Sequence, residues 1–155
     1  MKKEVDIDID MGDYKVYVFD LDNTLDLHYV DYDYKQEYTR RVQEFLEGLY
    51  AKGKIICLAT HNNNPHNTLV RMGIYKYFQE IVYENKKLNP DVNTVEEYTS
   101  KGDMVLEIMH RRGVKRGEII FFDDLNYNVD IVKSLGVHAF KVSPELGIEF
   151  SNHNF

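Results

Sequence analysis

Three short apolar runs in this chain each stop abruptly at residues that carry chemistry, and that pattern narrows the fold more than any other feature. The first, Val18-Phe19-Asp20-Leu21-Asp22-Asn23-Thr24-Leu25, delivers two carboxylates and a hydroxyl at alternate positions. The second is Ile55-Ile56-Cys57-Leu58-Ala59-Thr60, and the third is Ile119-Ile120-Phe121-Phe122-Asp123-Asp124. Continuous apolar runs of this length, rich in β-branched and aromatic residues, are strands buried on both faces. Such strands belong to parallel sheets, whose C-terminal ends are where ligands and catalysis gather. A lone Asp-x-Asp reads equally well as a solvated turn. The order Asp-x-Asp, then Thr60, then Lys101, then Asp123-Asp124 is what makes the chemical reading the stronger one.

Between these runs the period changes from strand to helix. Tyr38, Val42, Phe45, Leu46 and Leu49 recur at helical spacing, and Gly53 supplies a stop. Asn64 offers an N-cap and Pro65 suits a first helical turn, leading to Leu69 and Met72 with a stop at Gly73. Met104, Val105, Ile108 and Met109 mark a further helix ending at Gly113, and Val129, Val132 and Leu135 another ending at Gly136. Strands are expected over residues 14–19, 54–59, 118–122 and 137–142. This alternation predicts an α/β fold, a three-layer α/β/α sandwich with a mostly parallel sheet and right-handed crossovers. Residues 84–100 show no clear period and contain Pro90, so they read as a long loop.

A chain of 155 residues is long enough for one folded core and short for two, so we expect an N-terminal extension over 1–13 and one domain over 14–155. The extension's Val5-Asp6-Ile7-Asp8-Ile9-Asp10 alternates at the strand period. It imitates a calcium loop, but the glycine falls one place late at Gly12, and Tyr17 stands where the closing Glu would be needed. Hydrophobic content of 43% with 13% aromatics excludes a disordered chain. No apolar run approaches a membrane span and the first residues lack a signal-peptide core, so a cytoplasmic protein without membrane partners is expected. The single Cys57 lies inside an apolar run, which excludes a disulfide framework and suggests a buried structural thiol. A net charge of −7 disfavours broad nucleic-acid binding. The basic cluster around His110-Arg111-Arg112 and Lys115-Arg116 reads as a solvated face at a helix C-terminus.

The ordered motifs resemble those of the haloacid dehalogenase (HAD) superfamily of phosphatases, whose members carry Asp-x-Asp-x-Thr, a Thr or Ser after the second strand, a Lys and a terminal acidic pair. The nearest likeness is to its magnesium-dependent protein-tyrosine-phosphatase-like branch, on Tyr98-Thr99-Ser100-Lys101, Phe121-Phe122-Asp123-Asp124, Asn128 and Leu135-Gly136-Val137. The resemblance spans residues 14–142 and implies a Rossmann-like, HAD-like core.

Phosphate-ester hydrolysis needs a positioned nucleophile, cations on the phosphoryl oxygens and a proton for the leaving group. The resemblance implies that Asp20 is the nucleophile, forming an aspartyl-phosphate, and that Asp22 is general acid and base. Asp20, Asp123 and Asp124 would repel one another without a hard cation among them, and oxygen-only ligation suits Mg²⁺. By the family pattern Asp20 and Asp124 bind the metal directly, the main-chain carbonyl of Asp22 joins them, and Asp123 acts directly or through water. Asn128 and Thr24 are expected to support these ligands from behind. Thr60 would bond the transferring phosphoryl oxygens and Lys101 would neutralise them, with Lys86 and Lys87 as competing lysines in the same segment. His61 and Asn62 are candidates for touching the substrate, against the plainer reading of a solvated or hydrogen-bonded loop. Tyr29, Tyr32 and Tyr34 fall where the superfamily has a flap, where they would stack on an aromatic leaving group or pack the flap on the core.

Residues 23–59 and 61–100 leave no room for an inserted cap domain. An open site is therefore expected, suited to aryl or macromolecular phosphate esters such as phosphotyrosine. Alternatives are a nucleic-acid 3′-phosphatase, which the acidic charge disfavours, and a small-phosphosugar phosphatase, with closure by oligomerisation left open. A non-catalytic binding or scaffold module would be expected to lack one of Asp20, Asp22, Lys101 or Asp124, and all are present.

Overall fold

The computed structural model of the protein describes residues 14–84, 88–89, 94–95 and 100–150. The alternating Val5–Asp10 segment and the competing lysines Lys86 and Lys87 lie outside the described residues.

The core is one five-stranded sheet. β1 (Val16–Phe19), β2 (Ile55–Thr60), β3 (Glu80–Tyr83), β6 (Ile119–Asp123) and β7 (His138–Lys141) lie side by side in the order β3-β2-β1-β6-β7. All four pairings are parallel. The chain runs outward from β1 to β3 on one side and returns to β6 on the other, so the strand order reverses beside β1. A crevice opens at that reversal, outside the C-terminal ends of the strands.

Successive residues of each strand face opposite helical layers, because side chains alternate across a pleated strand. Tyr17, Phe19, Ile56, Leu58, Ile120 and Phe122 pack under α1 (Tyr32–Ala51) and α2 (Pro65–Met72). Val16, Val18, Cys57, Ala59, Ile119 and Phe121 pack under α3 (Lys101–Arg112) and α4 (Asn126–Ser134). The helix stripes read from the sequence are the buried ones: Tyr38, Val42, Phe45, Leu46 and Leu49 on α1, and Met104, Val105 and Ile108 on α3.

Local chemistry sets the helix ends that matter here. The Ser100 hydroxyl accepts from the Asp103 amide at 3.1 Å, which starts α3 at Lys101 and buries that lysine in the first turn. Gly102 follows, and a Cβ there would stand 2.9 Å from Ile131 Cγ2 of α4, so the absence of a side chain lets the two helices meet closely. At α2 the expectation is half met. Pro65 opens the helix and Gly73 closes it in the left-handed conformation, but the Asn64 side chain makes no capping bond.

Two strand features differ from the sequence reading. Glu80–Tyr83 forms the β3 edge strand, which its four residues and one fully buried side chain, Val82, left without a legible period. Within the expected long loop, β4 (Leu88–Asn89) pairs antiparallel with β5 (Thr94–Val95) as a minimal ribbon. Among the described residues no helix is long and apolar enough to cross a membrane, and none forms a cap domain over the crevice.

Candidate active site

Strand register brings the motif residues to one level. Phe19 pairs with Leu58 on one side and with Phe122 on the other, so Asp20, Ala59 and Asp123 stand at one level at the C-terminal edge of the sheet and Thr60 ends β2 one residue further. The Asp20 amide continues the ladder to the Phe122 carbonyl at 2.9 Å. The cleft above these ends has a volume of about 210 Å³ and is lined by Asp20, Asp22, Asn23, Thr60, His61, Asn62, Lys101, Asp124, Leu125 and Asn128.

A tight turn follows Asp20. The Leu21 carbonyl accepts from the amides of Thr24, Leu25 and Asp26, and Asn23 takes a positive φ of 63°, a conformation that asparagine tolerates better than most side chains. Buried Leu21, Leu25 and Leu27 anchor the turn to the core. Thr24 Oγ1 faces Asp20 Oδ2 at 3.4 Å.

Lys101 is the electrostatic centre of the cleft. It is 1% exposed, and its Nζ donates to Asp20 Oδ1 at 2.9 Å and to Asp123 Oδ2 at 2.5 Å. Burial works against its charge, but the two carboxylates outweigh burial and hold its pKa above the ordinary lysine value. Asp20 moves the other way: burial raises its pKa, Lys101 pulls it down, Asp123 raises it again, and it settles at about 7. Burial also raises Asp124. Asp123, fully buried, accepts from the Leu125 amide at 3.0 Å and from Asn128 Nδ2 at 3.2 Å besides Lys101.

Three carboxylates thus surround one ammonium, with an oxygen of each of Asp20, Asp123 and Asp124 within 4.8 Å of the others. Burial first, and the neighbouring Asp123 after it, raise Asp20 and Asp124, and a hard, oxygen-seeking cation would favour their ionised forms, so this all-carboxylate donor set fits Mg²⁺. A second group, Asp22, Asp26 and His28, is also clustered. There Lys35 stands 3.2 Å from buried Asp26, and His28 Nε2 lies 2.7 Å from Asp22 Oδ1.

Asp22 is held at both oxygens: His28 Nε2 lies 2.7 Å from Oδ1 and Asn62 Nδ2 donates to Oδ2 at 3.0 Å. The Asn62 amide donates to Thr60 Oγ1 at 3.1 Å, tightening the turn after β2. His61 Nδ1 lies 2.5 Å from an oxygen of Glu84, which follows β3. Neither His28 nor Glu84 carries a sequence signal of its own. Tyr29 and Tyr32 are 79% and 73% exposed and do not line the cleft, whereas Tyr34 stacks on Tyr38 and donates to the Leu146 carbonyl at 2.8 Å. Cys57 stays within β2, its thiol pushed up to about 12 by burial.

No protein-family model matches this chain, and no characterised protein matches it in sequence. Solved structures do match it in three dimensions. A haloacid dehalogenase-like family hydrolase from Streptococcus pneumoniae superposes with a TM-score of 0.62 at 12% identity, over 92% of this chain and 90% of that one. The N-terminal part of a Bacteroides fragilis protein, containing a phosphatase domain and complexed with Mg, gives 0.68 at 18% identity, over 96% of this chain and 41% of that one. A second Streptococcus pneumoniae hydrolase gives 0.60 at 15% identity, over 90% and 96%. At these identities the likeness is one of fold: the chain has the HAD-like α/β fold.

Proposed function

We propose that the protein is a Mg²⁺-dependent phosphomonoester hydrolase that works through an aspartyl-phosphate on Asp20. The observation that carries the reading is the buried Lys101 ammonium, shared between Asp20 and Asp123 in a cleft that also presents Asp22, Thr60 and Asp124. A structural ion pair would not need one of its carboxylates, Asp20, to line a cleft with a hydroxyl and further acids beside it.

The chain's own groups would divide the work as follows. Asp20 attacks phosphorus and the bond from phosphorus to the ester oxygen breaks. Asp22 gives that oxygen its proton, so the alcohol leaves neutral. Asp22 then takes a proton from water as the water attacks the aspartyl-phosphate, which returns Asp20 as a carboxylate and releases inorganic phosphate. Lys101 and the Thr60 hydroxyl hold the transferring oxygens. Mg²⁺, held by Asp20, Asp124 and the Asp22 carbonyl with Asp123 beside or behind them, would neutralise charge on the phosphoryl group. Asn128 and Thr24 keep Asp123 and Asp20 in place.

Among the described residues no cap domain covers the cleft, so it admits bulky esters, aryl phosphates and phosphotyrosine among them, that a cap would exclude. The test is rapid quench of the enzyme with radiolabelled p-nitrophenyl phosphate and Mg²⁺. A protein-bound, hydroxylamine-labile label that is absent from Asp20→Asn is expected. Turnover by Asp20→Asn at the wild-type rate would overturn the mechanism.

A further inference from the structure

His61 and Glu84 are brought together by sheet register. β2 and β3 pair in parallel with Thr60 opposite Tyr83, so the next residue of each strand, His61 and Glu84, emerges beside the other. Glu84 is 8% exposed, and its carboxylate oxygen lies 2.5 Å from His61 Nδ1. Burying a carboxylate is unfavourable by several kcal/mol unless a partner repays it. A histidine that merely decorated a loop would need no such partner behind it.

The pairing fixes which ring atom faces outward. An ionised carboxylate accepts from Nδ1, and in the neutral tautomer that such a bond selects, Nε2 is the acceptor. His61 keeps 44% of its side chain exposed and lines the same cleft as Asp20 and Lys101. Its neighbours there are already engaged within the protein: Asn62 with Asp22, Asn128 with Asp123, and Lys101 with two carboxylates. Thr60, immediately before it, is the residue assigned to the phosphoryl oxygens. The imidazole follows it by one residue and lines the same cleft.

We propose that His61, oriented by Glu84, binds the leaving group of the substrate, its Nε2 accepting a hydrogen bond from a hydroxyl or amide N–H on the alcohol portion of the ester. The preferred substrates are then phosphate esters that carry such a donor, as a polyol or a phosphopeptide does, over bare aryl or alkyl phosphates. This rests on the reading of Asp20 and its neighbours as a phosphoester-hydrolysing centre. Glu84 acts through His61 and is a positioning residue.

The experiment compares kcat/KM with Mg²⁺ for phenyl phosphate, which offers no donor, with that for glycerol 3-phosphate and a phosphotyrosine-containing peptide, which do. His61→Ala should lose about tenfold on an ester with a donor, chiefly through KM, and less than about threefold on phenyl phosphate. Glu84→Ala should show the same selective loss, and Glu84→Gln, whose amide oxygen still accepts from Nδ1, a smaller one. Long-range ¹H–¹⁵N NMR of the neutral ring should find the proton on Nδ1 in the wild type and on Nε2 in Glu84→Ala. Equal losses on all three esters, a wild-type ring protonated at Nε2, or a wild-type enzyme that turns over phenyl phosphate alone would overturn the assignment of His61. A wild-type protein inactive on every ester, or one unaffected by Asp20→Asn, would bring down the hydrolase reading as well, so the two failures are told apart.

Discussion

The hydroxyl of Tyr38, on α1, donates to the main-chain carbonyl of Thr24 at 2.5 Å, inside the turn that follows the candidate nucleophile. The same hydroxyl accepts from the Ile148 amide at 2.8 Å. A single buried side chain thus ties the C-terminal segment to the loop that carries Thr24 and Asp20. Gly147 is part of the arrangement, since a Cβ there would stand 2.3 Å from the Tyr38 ring at a φ of 76°.

Tyr38→Phe would leave a buried carbonyl and a buried amide without their partner. We expect a loss of about 1–3 kcal/mol in urea unfolding. Gly147→Ala, which adds a steric clash and a strained φ to the same joint, should lose at least as much. An unchanged midpoint for both variants would show that the C-terminal segment contributes nothing to the fold.

The two bonds on Asp22 make its orientation testable. With His28 and Asn62 removed one at a time, as His28→Ala and Asn62→Ala, esters with poor leaving groups should slow more than those with good ones, because those need the proton from Asp22 most. Asp22→Asn should show the same bias more strongly. Uniform slowing across a leaving-group series would assign these residues to substrate binding.

Lys101 can be separated from its competitors by stability and rate together. Lys101→Ala leaves Asp20 and Asp123 buried and uncompensated, which should be destabilising by about 3–5 kcal/mol without metal. Turnover with Mg²⁺ should fall roughly a hundredfold or more. Lys86→Ala and Lys87→Ala should leave both nearly unchanged. A dead Lys86→Ala or Lys87→Ala enzyme beside an active Lys101→Ala would move the third motif.

The pH dependence follows from Asp20, whose carboxyl rises from 3.8 to about 7 in the metal-free fold. Between those values the folded state binds a proton that the unfolded state has released, so folding stability falls as pH rises from about 4 to about 7 and then levels. A cation that binds the ionised carboxylates stabilises only the folded state, so Mg²⁺ should remove much of that decline and bind better as pH rises through 7. Urea midpoints at pH 5 and pH 8, with Mg²⁺ and with chelator, measure both effects. Stability that rises with pH in chelator would contradict the site's electrostatics.

Cys57 provides a probe without chemistry. Its thiol, pushed up to about 12 by burial, should resist thiol reagents in the native protein and react at the rate of unfolding. Fast stoichiometric labelling under native conditions would place it elsewhere.

Much of this was legible in the sequence because it rests on local pattern. Apolar runs gave β1, β2 and β6, helical spacing gave the stripes of α1 and α3, and Asp20, Thr60 and Asp123 were readable as strand ends. Glu84 was not, since it depends on β3, an edge strand too short to carry a period. The bonds of His28 and Asn62 to Asp22 were also invisible. His28 folds back along the loop that carries Asp22, Asn62 reaches it from the loop after β2, and nothing in the local order of side chains reports either meeting. Tyr29 and Tyr32 illustrate the opposite limit: their place in the chain suggested a flap at the cleft, yet helix α1 begins at Tyr32 and both rings face solvent.

The missing side chain at Gly102 gives the cleft a kind of mechanical gauge. With α3 seated directly against Ile131, the helix turn that carries Lys101 is held close to α4, and the lysine reaches Asp20 and Asp123 from that seat. The ammonium, the acidic end of β6 and Asn128 at the start of α4 therefore belong to one hydrogen-bonded block. The opposite rim, made by the turns after β1 and β2, is built separately. Substitutions that reshape that second rim can change what is accepted while leaving the charged block in register.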